Sequence, residues 1–171
     1  MIKVKAKVYV LCGKIASGKT TYAESLRQSE NAVVLSCDEL MLSVFDECLG
    51  DKHDYFESKC VNYLCNLACD ITNAGTSVIL DYNFWSKKQR DDVKKFFTSK
   101  NITAELHYIK TEESKRLIWL EKRNEILRKE KALDNTRKYI ISDELKNYLD
   151  SKFEEPNDTE IDKLIQIKNK K

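Results

Sequence analysis

Glycine and proline are nearly missing from this 171-residue chain, which has four and one of them, where average usage gives about 12 and about 9. So few turn formers exclude collagen-like, linker-rich and many-turned all-β chains. No run of residues nears the roughly 20 apolar positions of a membrane span. The first twelve residues mix lysines with an apolar run but lack the small-residue cleavage site of a signal peptide. Neither sign of charge dominates: 30 Lys and Arg stand against 28 Asp and Glu. A balance of +2 is too even for a protein whose main task is to coat nucleic acid or anionic membrane. The only histidines are His53 and His107, neither at ligand spacing from a cysteine, which disfavours zinc.

Cysteine is better represented, at positions 12, 37, 48, 60, 65 and 69. The even count would permit disulfides. No CxxC pair occurs, however, and most of the cysteines sit inside apolar helical or strand patterns. Buried free thiols in a reducing cytoplasm are the favoured reading. The 42% apolar and 34% charged fractions fit one soluble globular domain over residues 1–171. A chain of this length buries roughly 70% of its unfolded surface and needs no covalent staples.

Periodicity predicts strands over residues 5–12, 32–36, 77–80 and 103–109, with a short fifth at 164–167. Helices are predicted over 20–28, 39–48, 54–73, 86–99 and 142–153, and from Thr111 through Trp119. Ser86 and Thr111 stand where N-caps belong, and Gly75 where a helix stops. In the 54–73 helix, Phe56, Cys60, Tyr63, Leu64, Leu67, Ala68 and Ile71 form the expected buried face. Short apolar strands alternating with helices imply an α/β fold, a parallel sheet covered on both faces. No linker, internal repeat or low-complexity segment divides the chain, apart from its lysine-rich last residues.

Residues 13–20 read Gly13-Lys14-Ile15-Ala16-Ser17-Gly18-Lys19-Thr20. This is the GxxxxGK[ST] phosphate-loop pattern, with a strand before it and a helix after it, as the motif requires. The two glycines let the backbone curl so that its N–H groups point inward. The following helix adds its positive N-terminal end. Lys19 would reach the β- and γ-phosphates, and the Thr20 hydroxyl would sit on Mg²⁺. Gly13 through Thr21 therefore form the expected nucleotide cradle.

Three further clusters refine this. Asp38, in LSCDE, lies just past the second strand, at the carboxyl edge where ligands of open α/β sheets bind. It could take the proton of an attacking hydroxyl, or simply cap the next helix in company with Ser36. Asp81, in VILDYN, ends the third strand as a Mg²⁺ or water contact does. An Asp-x-Asn turn with Asn83 is the plainer alternative. Arg123, Arg128 and Arg137 lie in a helix–loop–helix region at about 118–141. Arg123 is expected to close over the γ-phosphate, Arg128 to support it, and Arg137 to belong to a solvated charged face. Tyr82, Phe84 and Trp85 follow the third strand and would stack on an acceptor, unless Phe84 and Trp85 instead staple a helix to the sheet. Trp119 reads as core or hinge packing, His53 as surface and His107 as core.

Together, GKIASGKTTYAESL, LSCDE, VILDYN with Arg90 seven residues past Asn83, EKRNEILR, and FEEP with Glu160 behind it resemble the small P-loop kinases related to polynucleotide kinase, zeta toxin and chloramphenicol phosphotransferase. The resemblance runs from Val8 to about Glu160. It implies a P-loop NTPase fold with a parallel five-stranded sheet of order 2-3-1-4-5 and a helical lid. It also implies an ATP- and Mg²⁺-dependent kinase with Asp38 as base and Arg123 as lid arginine. Asp81, Asn83, Trp85 and Arg90 would then lie beside the acceptor. The chain departs from the polynucleotide kinase pattern at Met41, where that pattern places an arginine for an acceptor phosphate. Lys14 replaces the family's common proline or glycine at the second loop position. The expectation is a cytoplasmic kinase, monomer or homodimer, phosphorylating a small-molecule hydroxyl, with no membrane partner. Its rivals are a polynucleotide 5′-hydroxyl kinase and a nucleotide switch with slow hydrolysis.

Overall fold

A computed structural model describes residues 5–45, 49–132 and 140–168, without the side chains of residues 131 and 132. Five parallel strands form one sheet: β1 (Val8–Cys12), β2 (Val33–Ser36), β3 (Val78–Asp81), β4 (Ala104–Thr111) and β5 (Lys163–Ile167). Their order is β2-β3-β1-β4-β5, the arrangement the resemblance implied. The helices are α1 (Lys19–Glu30), α2 (Cys37–Val44), α3 (His53–Asn73), α4 (Lys87–Ser99), α5 (Glu113–Ala132) and α6 (Asp143–Ser151).

Strand alternation sorts β1 into two layers. Val8, Val10 and Cys12 face α3 and α4, packing with Ala68, Cys69, Val93 and Phe97. Tyr9 and Leu11 face the other way, with Ala23 and Leu26 of α1. All five β1 residues are buried, which is why this strand reads as a solid apolar run and why the loop it feeds is rigidly seated. No helix of the described residues is long and apolar enough to cross a membrane.

Local chemistry explains most boundaries. Ser86 begins α4 with a reciprocal capping box to Gln89, and Ser142 caps α6. Ser36, not Asp38, caps α2: its Oγ accepts from the Glu39 amide at 3.3 Å. Asp38 is left free of that task in the helix's first turn.

Several expectations change. Thr111 does not cap α5. It ends β4, because pairing with Ile167 of β5 carries the strand that far. On α3, Leu64 and Ala68 are buried as expected and Cys65, Cys69 and Thr72 join them, but Tyr63 is 61% exposed. Helix α2 ends at Val44 rather than running to 48. Cys12, Cys37, Cys60, Cys65 and Cys69 are free thiols, while Cys48 and Arg137 fall outside the described residues.

Candidate active site

The loop between β1 and α1 is built around backbone. A Cβ at Gly13 would stand 2.6 Å from the Ile109 carbonyl oxygen and 2.6 Å from Ser17 Oγ, so no side chain fits there. Ala16 and Gly18 take left-handed backbone, with φ of 57° and 92°. Gly18 begins α1 without a side-chain cap, which leaves the first amides of that helix directed at the loop. Lys19 folds back over it, donating to the carbonyl oxygens of Gly13 and Lys14 at 3.0 and 3.1 Å. Burial lowers the Lys19 pKa, and Asp81, Cys12 and Asp38 oppose that shift.

The two aspartates meet at the carboxyl edge of the sheet. Register pairs Ser36 with Asp81, so Asp38, two residues on from Ser36, enters the same cleft. Thr20 Oγ1 donates to Asp81 Oδ2 at 3.0 Å. A hydroxyl and a carboxylate held together are hard oxygen donors of the kind Mg²⁺ takes. Desolvation raises the Asp38 carboxyl pKa, and the Asp81 carboxylate raises it further. Water still reaches Asp38, which is exposed, and this tempers the desolvation. Lys19, Arg123 and His53 pull the other way. Arg123, half-buried on α5, is within electrostatic reach of Asp38, which partly offsets the lowering of its own pKa by desolvation.

Other expected residues land elsewhere. Arg90 does not face an acceptor: it is 1% exposed and bonds Glu160 at 2.9 Å. Its Nη1 donates to the carbonyl oxygens of Phe84, Trp85 and Glu154, so it locks the loop after β3 onto the 154–160 segment. Arg128 is not brought to the phosphate loop, since its guanidinium pairs with Glu121 at 2.9 Å on the exposed face of α5. Phe84 is buried against Tyr82 at a 5.0 Å ring separation, which is the stapling role. Trp85 is half-buried with Nε1 lacking a hydrogen-bond partner, and Asn83 is half-buried beside it. Lys14 leans outward to Glu113 at 3.8 Å. Trp119 packs on the loop, its ring 3.2 Å from where a Gly18 Cβ would stand. His53 is exposed, and His107 is buried with Nδ1 2.9 Å from the Tyr22 hydroxyl.

Contacts from distant parts of the chain also shape the site. Arg116, 1% exposed, donates to the Ile15 carbonyl oxygen at 3.1 Å, to Glu113, and to Asp150 of α6 at 2.6 Å. Thr111 Oγ1 donates to the Ser17 carbonyl oxygen at 2.6 Å. These two bonds fix the phosphate loop from β4 and α5. Burial pushes the Glu57 carboxyl of α3 up, and His53 and Tyr82 pull the other way. Partners this far apart in the chain leave no local pattern.

A fold search returns proteins of the same architecture. A candidate kinase from Chloroflexus aurantiacus superposes with a TM-score of 0.71 at 16% identity, covering 96% of this chain and 88% of that one. The Chaetomium thermophilum protein Kti12, in complex with ADP-AlF3, gives 0.65 at 17%, covering 94% and 88%. The Mycobacterium tuberculosis APS kinase CysC, with AMPPNP and APS, gives 0.63 at 17%, covering 95% and 88%. At these identities the likeness is one of fold. No curated protein matches in sequence. A family model described as an AAA domain matches residues 8–140, a span that holds the phosphate loop, both strand-end aspartates and Arg123. The chain therefore belongs to this AAA domain family of P-loop proteins and carries a kinase-like P-loop fold.

Proposed function

We propose that this protein is an ATP-dependent kinase that transfers the γ-phosphoryl group to a hydroxyl of a small molecule. The observation that carries the reading is the placement of Asp38 and Asp81 at adjacent strand ends, electrostatically coupled to Lys19 and Arg123. Phosphoryl transfer asks mostly for positioning and charge stabilisation. The loop amides and Lys19 would hold the β- and γ-phosphates. Thr20 and Asp81 would hold Mg²⁺, which, when bound, neutralises charge on the phosphate oxygens. Arg123 would stabilise the equatorial oxygens of the transferring group. Asp38 would accept the hydroxyl proton as the acceptor oxygen bonds to the γ-phosphorus. The bond from that phosphorus to the bridging oxygen breaks, and ADP leaves.

A switch that only binds and slowly hydrolyses nucleotide has no use for a carboxylate freed of capping duty beside the loop. Two features disfavour a nucleic-acid acceptor: the charge balance, and Met41, which is buried and offers no grip for an acceptor phosphate. The test is incubation of metabolite extracts with the protein and Mg·ATP, read by mass spectrometry for species that gain a phosphate. Asp38→Asn is expected to bind Mg·ATP normally and to lose about 10²–10⁴ in transfer rate. Transfer by this variant at the unsubstituted rate would move the base elsewhere, with Asp81 the first candidate.

A further inference from the structure

The face of the sheet that α1 covers changes character along its length. Near the phosphate loop it is apolar, where Leu11, Ile79 and Ile109 pack with Ala23. Toward the amino ends of the strands the same face turns polar. Register sets Tyr9 of β1 beside Glu105 of β4, and His107 of β4 beside Lys163 of β5. These four, with Lys7 ahead of β1, line a cavity of about 380 Å³ whose α1 wall is Leu26 and Glu30. That volume falls in the range of small-molecule sites, roughly 300–1,000 Å³. The cavity lies at the end of the sheet away from the phosphate loop, Asp38 and Asp81.

Its floor is polar, buried and held in place. Tyr9 and His107 are each 2% exposed. The Tyr9 hydroxyl donates to Glu30 Oε2 at 2.6 Å. His107 meets the Tyr22 hydroxyl of α1 at 2.9 Å and Glu105 at 3.4 Å. The Tyr9 and His107 rings pack edge to face at 5.1 Å. Burying such groups costs free energy that aliphatic side chains at the same strand positions would not. Polar groups kept at that cost are characteristic of functional positions.

Charge decides the class of ligand. Burial lowers the His107 pKa and raises that of Tyr9, so both are uncharged near neutral pH. Glu105 is matched by Lys7 at 2.7 Å. Asp162, which also lines the cavity, is matched by Lys94 and by the Leu106 amide, both at 2.7 Å. Among the described residues, two lining charges have no ion-pair partner: Glu30 on the α1 wall and Lys163 on the β5 wall. A simple cation would meet Lys163, and a simple anion would meet Glu30. A molecule carrying both signs receives charge-assisted hydrogen bonds from both walls.

We propose that this cavity is a binding site for a small zwitterion of the α-amino acid class, with its ammonium group on Glu30, its carboxylate on Lys163, and Tyr9 and His107 as the floor. The bound molecule would span α1 and β5 and brace the helix whose first residues are Lys19 and Thr20. The site stands apart from the phosphate-loop cleft and does not depend on the kinase reading.

The test titrates the twenty common α-amino acids into the full-length protein by calorimetry, with and without saturating Mg·ATP. At least one is expected to bind saturably in both conditions and to raise Tm. Its N-acetyl derivative lacks the ammonium group and its methyl ester lacks the carboxylate, and each should bind about tenfold or more weakly. Glu30→Gln and Lys163→Gln should weaken binding of the parent amino acid by a similar factor and leave Mg·ATP affinity unchanged. Where Glu30→Gln melts early, Lys163→Gln, at an exposed position, carries the test. No saturable binding by any of the twenty overturns the inference. Derivatives that bind as tightly as the parent overturn the zwitterion, and full affinity in either variant overturns the placement. Competition with Mg·ATP would assign the amino acid to the nucleotide cleft and overturn the site.

Discussion

Replacing Arg90 by alanine tests whether that guanidinium belongs to the fold or to the acceptor. Its side chain is 1% exposed and that of Glu160 is 9% exposed. Arg90→Ala leaves the Glu160 carboxylate buried without its partner. It also removes the donor shared by the carbonyl oxygens of Phe84, Trp85 and Glu154. Breaking a buried pair on one side costs about 3–5 kcal/mol, a large part of the roughly 5–15 kcal/mol that holds a domain folded. At about 2–4 °C per kcal/mol for a domain of this size, Tm should fall by roughly 6–20 °C. Arg90→Lys keeps the charge but not the planar fork and should fall in between. Burial would push the Glu160 carboxyl up, but the bond from Arg90 and the Asn157 backbone hold it below the usual carboxylate range. A depressed folded pKa gives stability that is present above the unfolded value and lost as pH falls through the folded one. The unsubstituted protein should therefore lose part of its advantage over Arg90→Ala in acid. Circular-dichroism melts across that range, beside urea titrations at neutral pH, supply the measurement. An unchanged Tm together with a raised KM for the acceptor would refute the structural assignment and return Arg90 to the substrate.

Lys19→Ala should lower Mg·ATP affinity and leave under about a tenth of the transfer rate, with the melting curve intact; titration calorimetry and turnover assays check both. Gly13→Ala should block nucleotide binding or unfold the loop, because its Cβ would meet the Ile109 carbonyl oxygen at 2.6 Å; normal ATP affinity in a normally melting variant would contradict this. Arg123→Ala should depress kcat by about 10³ with a smaller change in KM for ATP, and a change in KM alone would make it a passive ligand. Asp38 has a raised carboxyl, so it binds protons more readily folded than unfolded, and stability falls as pH rises through that window. Asp38→Asn should accordingly melt higher at neutral pH while losing transfer, and a lower Tm would show the carboxylate to be structural.

The strand–loop–helix unit of residues 8–30 was legible because it is local. An apolar strand, two glycines in fixed positions and an amphipathic helix all lie within a few turns of one another. The strand-end aspartates were legible for the same reason, since each follows directly on an apolar run. Arg90 was misplaced because its partner Glu160 stands 70 residues away, and periodicity cannot report such a pair. Thr111 resembled a cap because acidic residues follow it. What keeps it in β4 is the neighbouring strand β5, which pairs as far as Thr111. Glu57 has the look of any solvated glutamate on a long helix. Its electrostatic coupling to Asp38 comes from the packing of α3 against α2, which no local pattern reports.

The phosphate loop and helix α5 are joined by side-chain contacts. Arg116 sits in the first turn of α5, with its guanidinium on the Ile15 carbonyl oxygen. Arg123 follows seven residues later, which on an α-helix is about two turns and about 10 Å. Both therefore project from one face of α5, the face that also presents buried Leu120 and Leu127 and the Trp119 ring that covers Gly18. Buried Asn124 of the same helix bonds both the amide and the carbonyl of Ile141, at 3.0 and 2.8 Å. An arginine acting on a transferring phosphoryl group must be held to within a fraction of an ångström of its task. A flexible side chain on a free helix would not be so held. The anchor at Arg116 references α5 to the phosphate loop, so Arg123 and that loop share one frame, as the proposed role of Arg123 requires. Removing the anchor should thus reduce kcat through Arg123. The effects of Arg116→Lys and Arg123→Ala should be less than additive in a double-mutant cycle, since an arginine that is absent cannot be misplaced.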